Sequence, residues 1–422
     1  MRDLGSCLCF MFFVSIGRTE ALLPSTGTLT LDVCYRLALE RNESVALSLE
    51  EVRGLEGQYA QVRARILPRV GFFASERFED TSGASGDARS DDPEARVYAR
   101  QPLFHGMREI SALKAQGENL RGRQEEVVQA RILLYEDVAK LFYGLALADE
   151  RIKTFLSLRR VSQDRLTELN RRVAIGRSRA SEVLSSETQL ARLEADLEDA
   201  RWERASLGEM LDSLLGQRGV AVADTATEAV SPAPLETVLV RQTDRPDVRS
   251  ALYDVKAYRY LEKSVRQSYW PTVDLGGNYY LKRAGSNENV NWDLLLALDF
   301  PFFRGGEYRG QTETAAADRR SAQWREALVR RLAEQEIRSR HLYAASALSR
   351  RDRLGEAARL ALKNYAAQKE EYRLGLVSNL DVLAALNTME ETKLDHDRSR
   401  LEAKLALILL DLSVNALPEA HP

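Results

Sequence analysis

The chain repeats itself once, and this duplication constrains the fold more than composition does. Ala174-Ile175-Gly176, followed by Glu182-Val183-Leu184, recurs as Arg373-Leu374-Gly375, followed by Asp381-Val382-Leu383. Gln101-Pro102-Leu103-Phe104-His105-Gly106 recurs at the same spacing as Phe300-Pro301-Phe302-Phe303-Arg304-Gly305. A third pair, Ile66-Leu67-Pro68 and Tyr269-Trp270-Pro271, is offset slightly more because the intervening segments differ in length. Three anchors in one order describe two copies of one unit, and the period is far too long for a solenoid. The copies are placed at residues 28–216 and 235–417, with a linker of Gly, Ala, Thr and Pro over 217–234 and a tail at 418–422.

Each copy follows the same plan. A helical region comes first, about Leu31 to Leu67 and about Leu235 to Gln267. In the second copy Pro246 interrupts it and is expected to open the main helix, since proline suits a first helical turn. A pair of short extended stretches follows, then a very long helical stretch, a Gly-containing turn and a last helix. Proline is absent from Met107 to Leu215 and from Glu307 to Leu417, as continuous helix requires. Each long helix is expected to reach about 100 Å at 1.5 Å per residue, beyond any ordinary globular core. Leu354, Ala358, Ala361, Tyr365 and Tyr372 form one heptad-like seam, and Leu401, Leu405, Ile408 and Leu412 another. Such seams mean helix packed on helix, with the Arg and Glu between them on the solvated face.

The four extended stretches, near 69–80, 94–103, 269–282 and 291–301, carry the most functional information. Val273, Leu275, Gly277, Tyr279 and Leu281 alternate with polar residues, Tyr280 being an exception. Trp292, Leu294, Leu296, Leu298 and Phe300 alternate with Asn291, Asp293 and Asp299, with Leu295 and Ala297 as exceptions. Val97 lies on the corresponding face in the first copy, where Phe73 and Glu76 break the pattern. Each stretch is about ten residues, the length a tilted strand needs to cross a bilayer. A small soluble sheet with one buried face would alternate equally well. Aromatic residues near the strand ends (Tyr279, Trp292, Phe300) favour the membrane reading. Four strands cannot close a barrel, and lipid permits no open edge. Several chains must then share one barrel: two would give eight strands and a filled interior, three would give twelve and leave a passage.

The N-terminus fits this setting. Leu4 to Ile16 is an apolar run with the length of a signal-peptide core, and cleavage is expected near Ala21, so residues 1–27 read as a signal peptide and tail. Cleavage would leave Cys34 as the lone thiol. No later stretch is long and apolar enough for a membrane-spanning helix. A net charge of −3 gives no basic excess for nucleic acid. There is no phosphate-binding glycine loop, nucleophile elbow or HExxH. His105, His341, His396 and His421 are too scattered to hold a metal. Neither an enzyme nor a cofactor-binding protein is expected.

The chain resembles the TolC-like outer membrane efflux proteins. The resemblance runs from Leu29 to Leu417. It is carried by Leu29-Thr30-Leu31-Asp32 through Ala38-Leu39-Glu40-Arg41-Asn42, by Gln101-Pro102-Leu103-Phe104, by Arg245-Pro246-Asp247-Val248, and by Gly375 with Asp381-Val382-Leu383. It implies a mostly α fold with a small β part, in which duplicated coiled-coil hairpins form a trimeric α-barrel and four strands per chain build a 12-stranded outer membrane β-barrel. It further implies an exit duct in the outer membrane, fed by an inner-membrane pump through a periplasmic adaptor. The matching tips, where an adaptor would dock, are Ile175-Gly176-Arg177 and Leu374-Gly375-Leu376. The matching gate residues are Glu182 and Tyr372, where a Tyr hydroxyl could donate to a carboxylate, and Asp381, which would ring the aperture. Ala384 and Val377 stand where some relatives have acidic and basic residues, which thins the ring and removes one ionic lock. A soluble coiled-coil scaffold is the competing reading; it predicts neither the signal segment nor the paired strands.

Overall fold

The structure is a computed structural model and describes residues 28–81, 88–223, 231–283 and 289–415. The signal segment 1–27 and the tail 418–422 lie outside the described residues. Both copies fold to the same order of elements. The first has α1 (Leu31–Arg41), α2 (Glu43–Ala64), β1 (Arg69–Thr81), β2 (Ala88–Phe104), α3 (Arg108–Ala174) and α4 (Ala180–Leu215). The second has α5 (Leu235–Val240), α6 (Pro246–Arg266), β3 (Thr272–Arg283), β4 (Trp292–Asp299), α7 (Glu307–Arg373) and α8 (Asn379–Leu412).

The first helical region, placed at about Leu31 to Leu67, divides at Asn42. Asn42 is extended, and its side chain caps α2 by accepting from the Val45 N–H at 3.0 Å. A short polar side chain that satisfies an orphan helix donor stabilises a break as surely as a proline does. The same break occurs in the second copy, where Pro246 opens α6. There Asp247 accepts the Val248 N–H at 2.8 Å. Arg245, 8% exposed by its side chain, donates to Asp247, to Glu336 on α7 and to the Ser413 carbonyl beyond α8. The Arg-Pro-Asp motif therefore clamps three helices.

Helices α3 and α7 are each 67 residues long. Their packing shows why such lengths hold. Tyr35, Tyr135, Val138, Phe142, Leu145, Leu211, Leu215, Leu401 and Leu412 close one core among α1, α3, α4 and α8. Fully buried Cys34 belongs to it, its thiol pushed up to about 11 by burial. Ile337, Ala344, Ala347, Ala403 and Ala406 form an alanine-rich seam between α7 and α8. Phe155, Leu158, Leu193, Leu197 and Ala200 join α3 to α4. An exposed i,i+4 pair such as Arg338–Glu334 lies on an outer face, where it contributes only tenths of a kcal/mol, about 0.3–0.5.

The segment after α4 does not trail free along its length. Leu29 pairs with it in a parallel bridge, accepting from Ala223 N–H at 3.0 Å and donating to the Ala221 carbonyl at 2.8 Å. Val220 and Val222 pack on the first core. Apolar side chains within a polar segment draw it back to the bundle.

The strands form one antiparallel sheet in the order β1-β2-β3-β4. The central β2–β3 pairing joins the two copies. β2 begins at Ala88, six residues before the expected 94, because the backbone ladder continues to Thr81↔Ala88. Ladder hydrogen bonds need no apolar side chains, so alternation alone underestimates a strand in its polar reach. His105, at the base of the sheet, lies between Glu109 on α3 (Nδ1–Oε1 2.8 Å) and Asp274 on β3 (Nε2–Oδ1 3.0 Å). Among the described residues no helix is long and apolar enough to cross a membrane.

Candidate functional site: the two-faced sheet and the helical tips

Pairing register sorts the strand residues onto two faces. Tyr279 stands opposite Val97 and Trp292, Leu275 opposite Leu296, and Val273 opposite Leu298. Directly opposed residues share a face, so Val97, Val273, Leu275, Tyr279, Trp292, Leu294, Leu296 and Leu298 form one apolar surface, extended onto β1 by Val70 and Phe72. Leu294, Leu296 and Leu298 are 64–69% exposed. Leu281 is exposed as well and sits in a bulge, where Lys282 pairs with Ala95 and Tyr280 with Arg96.

Of the residues that broke the alternation, Phe73, Tyr280, Leu295 and Ala297 belong to the opposite face, whereas Glu76, opposite Pro93, stays on the side of Val70 and Phe72. Tyr280 is 9% exposed, and its hydroxyl donates to Asp293 at 2.7 Å, while Asn278 donates to the same carboxylate at 2.8 Å. Arginines cover the rings there: Arg283 over Tyr280 at 4.3 Å, Arg96 over Phe73 at 4.9 Å and Arg100 over Tyr98 at 5.6 Å. The Tyr98 ring lies against Gly71 so closely that an added Cβ would come within 2.5 Å of it. An aromatic ring stacked under a guanidinium is a polar-face residue, which a hydrophobicity count misreads. The sheet is thus apolar on one side, polar on the other, and open at β1 and β4.

At the far end of the helices the two tips close alike. Gly176 (φ +71°) donates to Val173 O at 2.9 Å, and Arg177 to Arg172 O at 2.8 Å. Gly375 (φ +79°) donates to Tyr372 O at 3.0 Å, and Leu376 to Glu371 O at 2.9 Å. This is the left-handed helix stop that glycine adopts without strain. A Cβ would meet nothing within 4 Å at either glycine, so the dihedral alone selects the residue. Ile175, Leu374 and Leu376 are exposed at these tips, as is Arg177.

The gate residues take different partners inside one chain. Glu182 accepts from Ser178 Oγ at 2.7 Å. Asp381 completes a capping box at the start of α8: the Ser378 hydroxyl and N–H donate to it at 2.6 and 2.9 Å, holding its carboxyl below the usual carboxylate range. Arg179 stands where the second copy has Ser378, and no side-chain cap forms on α4. Among the described residues no hydrogen bond joins the Tyr372 hydroxyl to Glu182. The Tyr372 ring instead lies 4.8 Å from the Arg165 guanidinium and 4.5 Å from that of Arg172. Arg165, 9% exposed, also donates to Asn379, the first residue of α8. Sequence reasoning missed Arg165, Arg172 and Asn379. A signal was present: Phe155, Leu158, Ser162, Arg165, Leu169 and Arg172 follow the alternating three-and-four spacing of a coiled-coil seam, with arginines at two places where apolar residues are the rule.

Glu390 on α8 lies in a groove shared with Gln189 of α4 and with Asn387 and Glu391. Burial, then the neighbouring Glu391, pushes its carboxyl up to about 7. Its Oε1 has no hydrogen-bond partner among the described residues. A carboxyl with a raised folded-state pKa stabilises fully below its unfolded value, and that contribution is lost as pH rises through 7. Glu390→Gln should therefore stabilise the protein by about 1–2 kcal/mol at pH 8, after discounting for partial exposure, and change nothing near pH 4. Denaturant melts at the two pH values check this; equal effects at both would refute it.

The sequence matches the outer membrane efflux protein family over residues 34–217 and 241–416, and the chain belongs to that family. Its fold is shared with solved outer membrane channels. The transmembrane channel CusC is 17% identical, with a TM-score of 0.83 over 93% of this chain and 95% of its own. VceC of Vibrio cholerae is 19% identical, with a TM-score of 0.79 over 91% and 94%. The CmeC outer membrane channel of Campylobacter jejuni is 14% identical, with a TM-score of 0.80 over 100% and 96%. No curated protein matches the chain.

Proposed function

We propose that three copies of this chain form an exit duct in the outer membrane: a 12-stranded barrel carried on a long periplasmic helical tube. The observation that carries this reading is the open four-stranded sheet, exposed and apolar on one face, on a helical body about 100 Å long. Lipid tolerates no unpaired strand edge, so β1 of one copy must meet β4 of the next. Three copies close the ring with an interior wide enough for water. Val97, Val273, Leu275, Tyr279, Leu281, Trp292, Leu294, Leu296 and Leu298 then face lipid, while the Arg–aromatic stacks and Asp293 line the lumen.

The duct is passive. Driving force comes from an inner-membrane pump, coupled through a periplasmic adaptor whose helices meet the exposed tips at Ile175-Gly176-Arg177 and Leu374-Gly375-Leu376. The tips, with Glu182, Tyr372 and Asp381 beside them, form the closed end. Docking opens it by exchanging tip contacts for adaptor contacts, which requires only a modest free-energy gap between closed and open states.

The test is direct. Expressed with its signal segment, the protein should fractionate with the outer membrane and run in detergent as a species of three 47.5 kDa chains, less the cleaved segment. A soluble monomer would overturn the proposal and favour the scaffold reading.

A further inference from the structure

Tyr372 is the last α7 residue but one, and Asn379 is the first residue of α8. They stand at the two ends of the second tip turn. Both are gripped by α3. Arg165 places its guanidinium 4.8 Å from the Tyr372 ring while its Nη2 donates to Asn379 Oδ1. Arg172, two turns further along the same face, lies 4.5 Å from the ring and is held there by Glu168, which accepts from its Nη2 at 2.6 Å. Resting on the gate reading above, we infer that this two-arginine clasp on the ring of Tyr372, and not the Tyr372 hydroxyl, ties the α7–α8 hairpin to α3 and sets the closed position of the second tip, with Arg165 as the positioning residue.

Three features of the geometry support the clasp. The ring face attracts a cation through its quadrupole, an interaction that strengthens as water is excluded, and Arg165 is 9% exposed. The contact is made between residues about two hundred positions apart in sequence, so it constrains how one copy's hairpin sits on the other's. It is also incompletely compensated: among the described residues the buried Arg165 Nε has no hydrogen-bond partner and no carboxylate lies within ion-pair distance of Arg165, Glu168 attracting it only from further off. A guanidinium paid for mainly by a ring and one amide oxygen holds the tip shut without making opening prohibitive.

The test uses the reconstituted trimer in planar bilayers, with the single-channel conductance of six variants compared with the parent. Tyr372→Phe keeps the ring and should conduct as the parent does. Tyr372→Leu and Arg165→Met should raise conductance about tenfold, and Arg165→Lys should restore part of the closure. The double variant Arg165→Met with Tyr372→Leu should open by less than the product of the two single effects, because the two changes share the Arg165–ring contact, although Tyr372→Leu also frees Arg172 and Arg165→Met also frees Asn379. Trimer yield and melting report folding separately; should Arg165→Met assemble poorly, the Tyr372→Phe and Tyr372→Leu pair still decides. If Tyr372→Phe opens the channel as far as Tyr372→Leu, the hydroxyl is the latch and the clasp is refuted. If Tyr372→Leu and Arg165→Met stay closed while Glu182→Ala opens, the clasp is refuted and the gate reading survives. If Glu182→Ala stays closed too, both fall.

Discussion

Leu296→Arg should prevent a stable membrane barrel, whereas Leu295→Arg should be tolerated. The two residues are neighbours in the middle of β4, and each is well over half exposed in the single chain. Only their faces differ. Leu296 stands opposite Leu275 on the apolar side; Leu295 stands opposite Gly276 on the side that carries Asn278, Tyr280 and Asp293. An arginine on the lipid face near the bilayer midplane costs about 2–4 kcal/mol. A barrel of three copies, as proposed above, would incur that cost three times. An arginine directed to a water-filled lumen keeps its hydration and joins a face already lined with guanidiniums. Outer membrane yield and urea-unfolding midpoints in detergent measure the contrast. Should Leu295→Arg be the damaging change, the assignment of faces is reversed and the barrel model with it.

Arg245→Met should destabilise the fold by about 2–3 kcal/mol, one of the larger losses available to a single change outside the membrane region. The guanidinium is nearly buried and holds Asp247, Glu336 and the Ser413 carbonyl together. Removing one partner of a buried ion pair costs about 3–5 kcal/mol when the other is left stranded. The figure falls here because Asp247 and Glu336 are about a third exposed, and Glu336 keeps Arg340 at 2.6 Å. Asp247 still caps Val248. Arg245→Lys should lose less, since a point charge keeps the attraction but not the forked geometry. Denaturant unfolding of the trimer checks both. An Arg245→Met protein as stable as the parent would mean that the motif is kept for something other than clamping α6 to α7 and α8.

The duplicated plan was legible in the chain because its signals are local. Absence of proline permits long helices, and period-two alternation in β3 and β4 marks a surface that must be covered or put in lipid. Gly176 and Gly375 were legible for the same reason, since the positive φ of a helix stop depends only on the residues in that turn. The break at Asn42 is also local, yet it was missed. It uses a side-chain cap, which gives a weaker punctuation than the proline that marks the second copy.

What needed the tertiary structure was every pairing across long sequence distance. Tyr280, Phe73 and Leu295 looked like errors of alternation until register placed guanidiniums over the two rings and set Leu295 on the polar side. The resemblance set Tyr372 near Glu182; that Arg165 and Arg172 lie on its ring was visible only in the packing. The chain by itself determined which segments are helix, strand and tip, because those follow from backbone sterics and from the periodicity of apolar side chains. Only the folded arrangement decided which charged group meets which ring, because electrostatic contacts depend on distances through space that residue order does not contain.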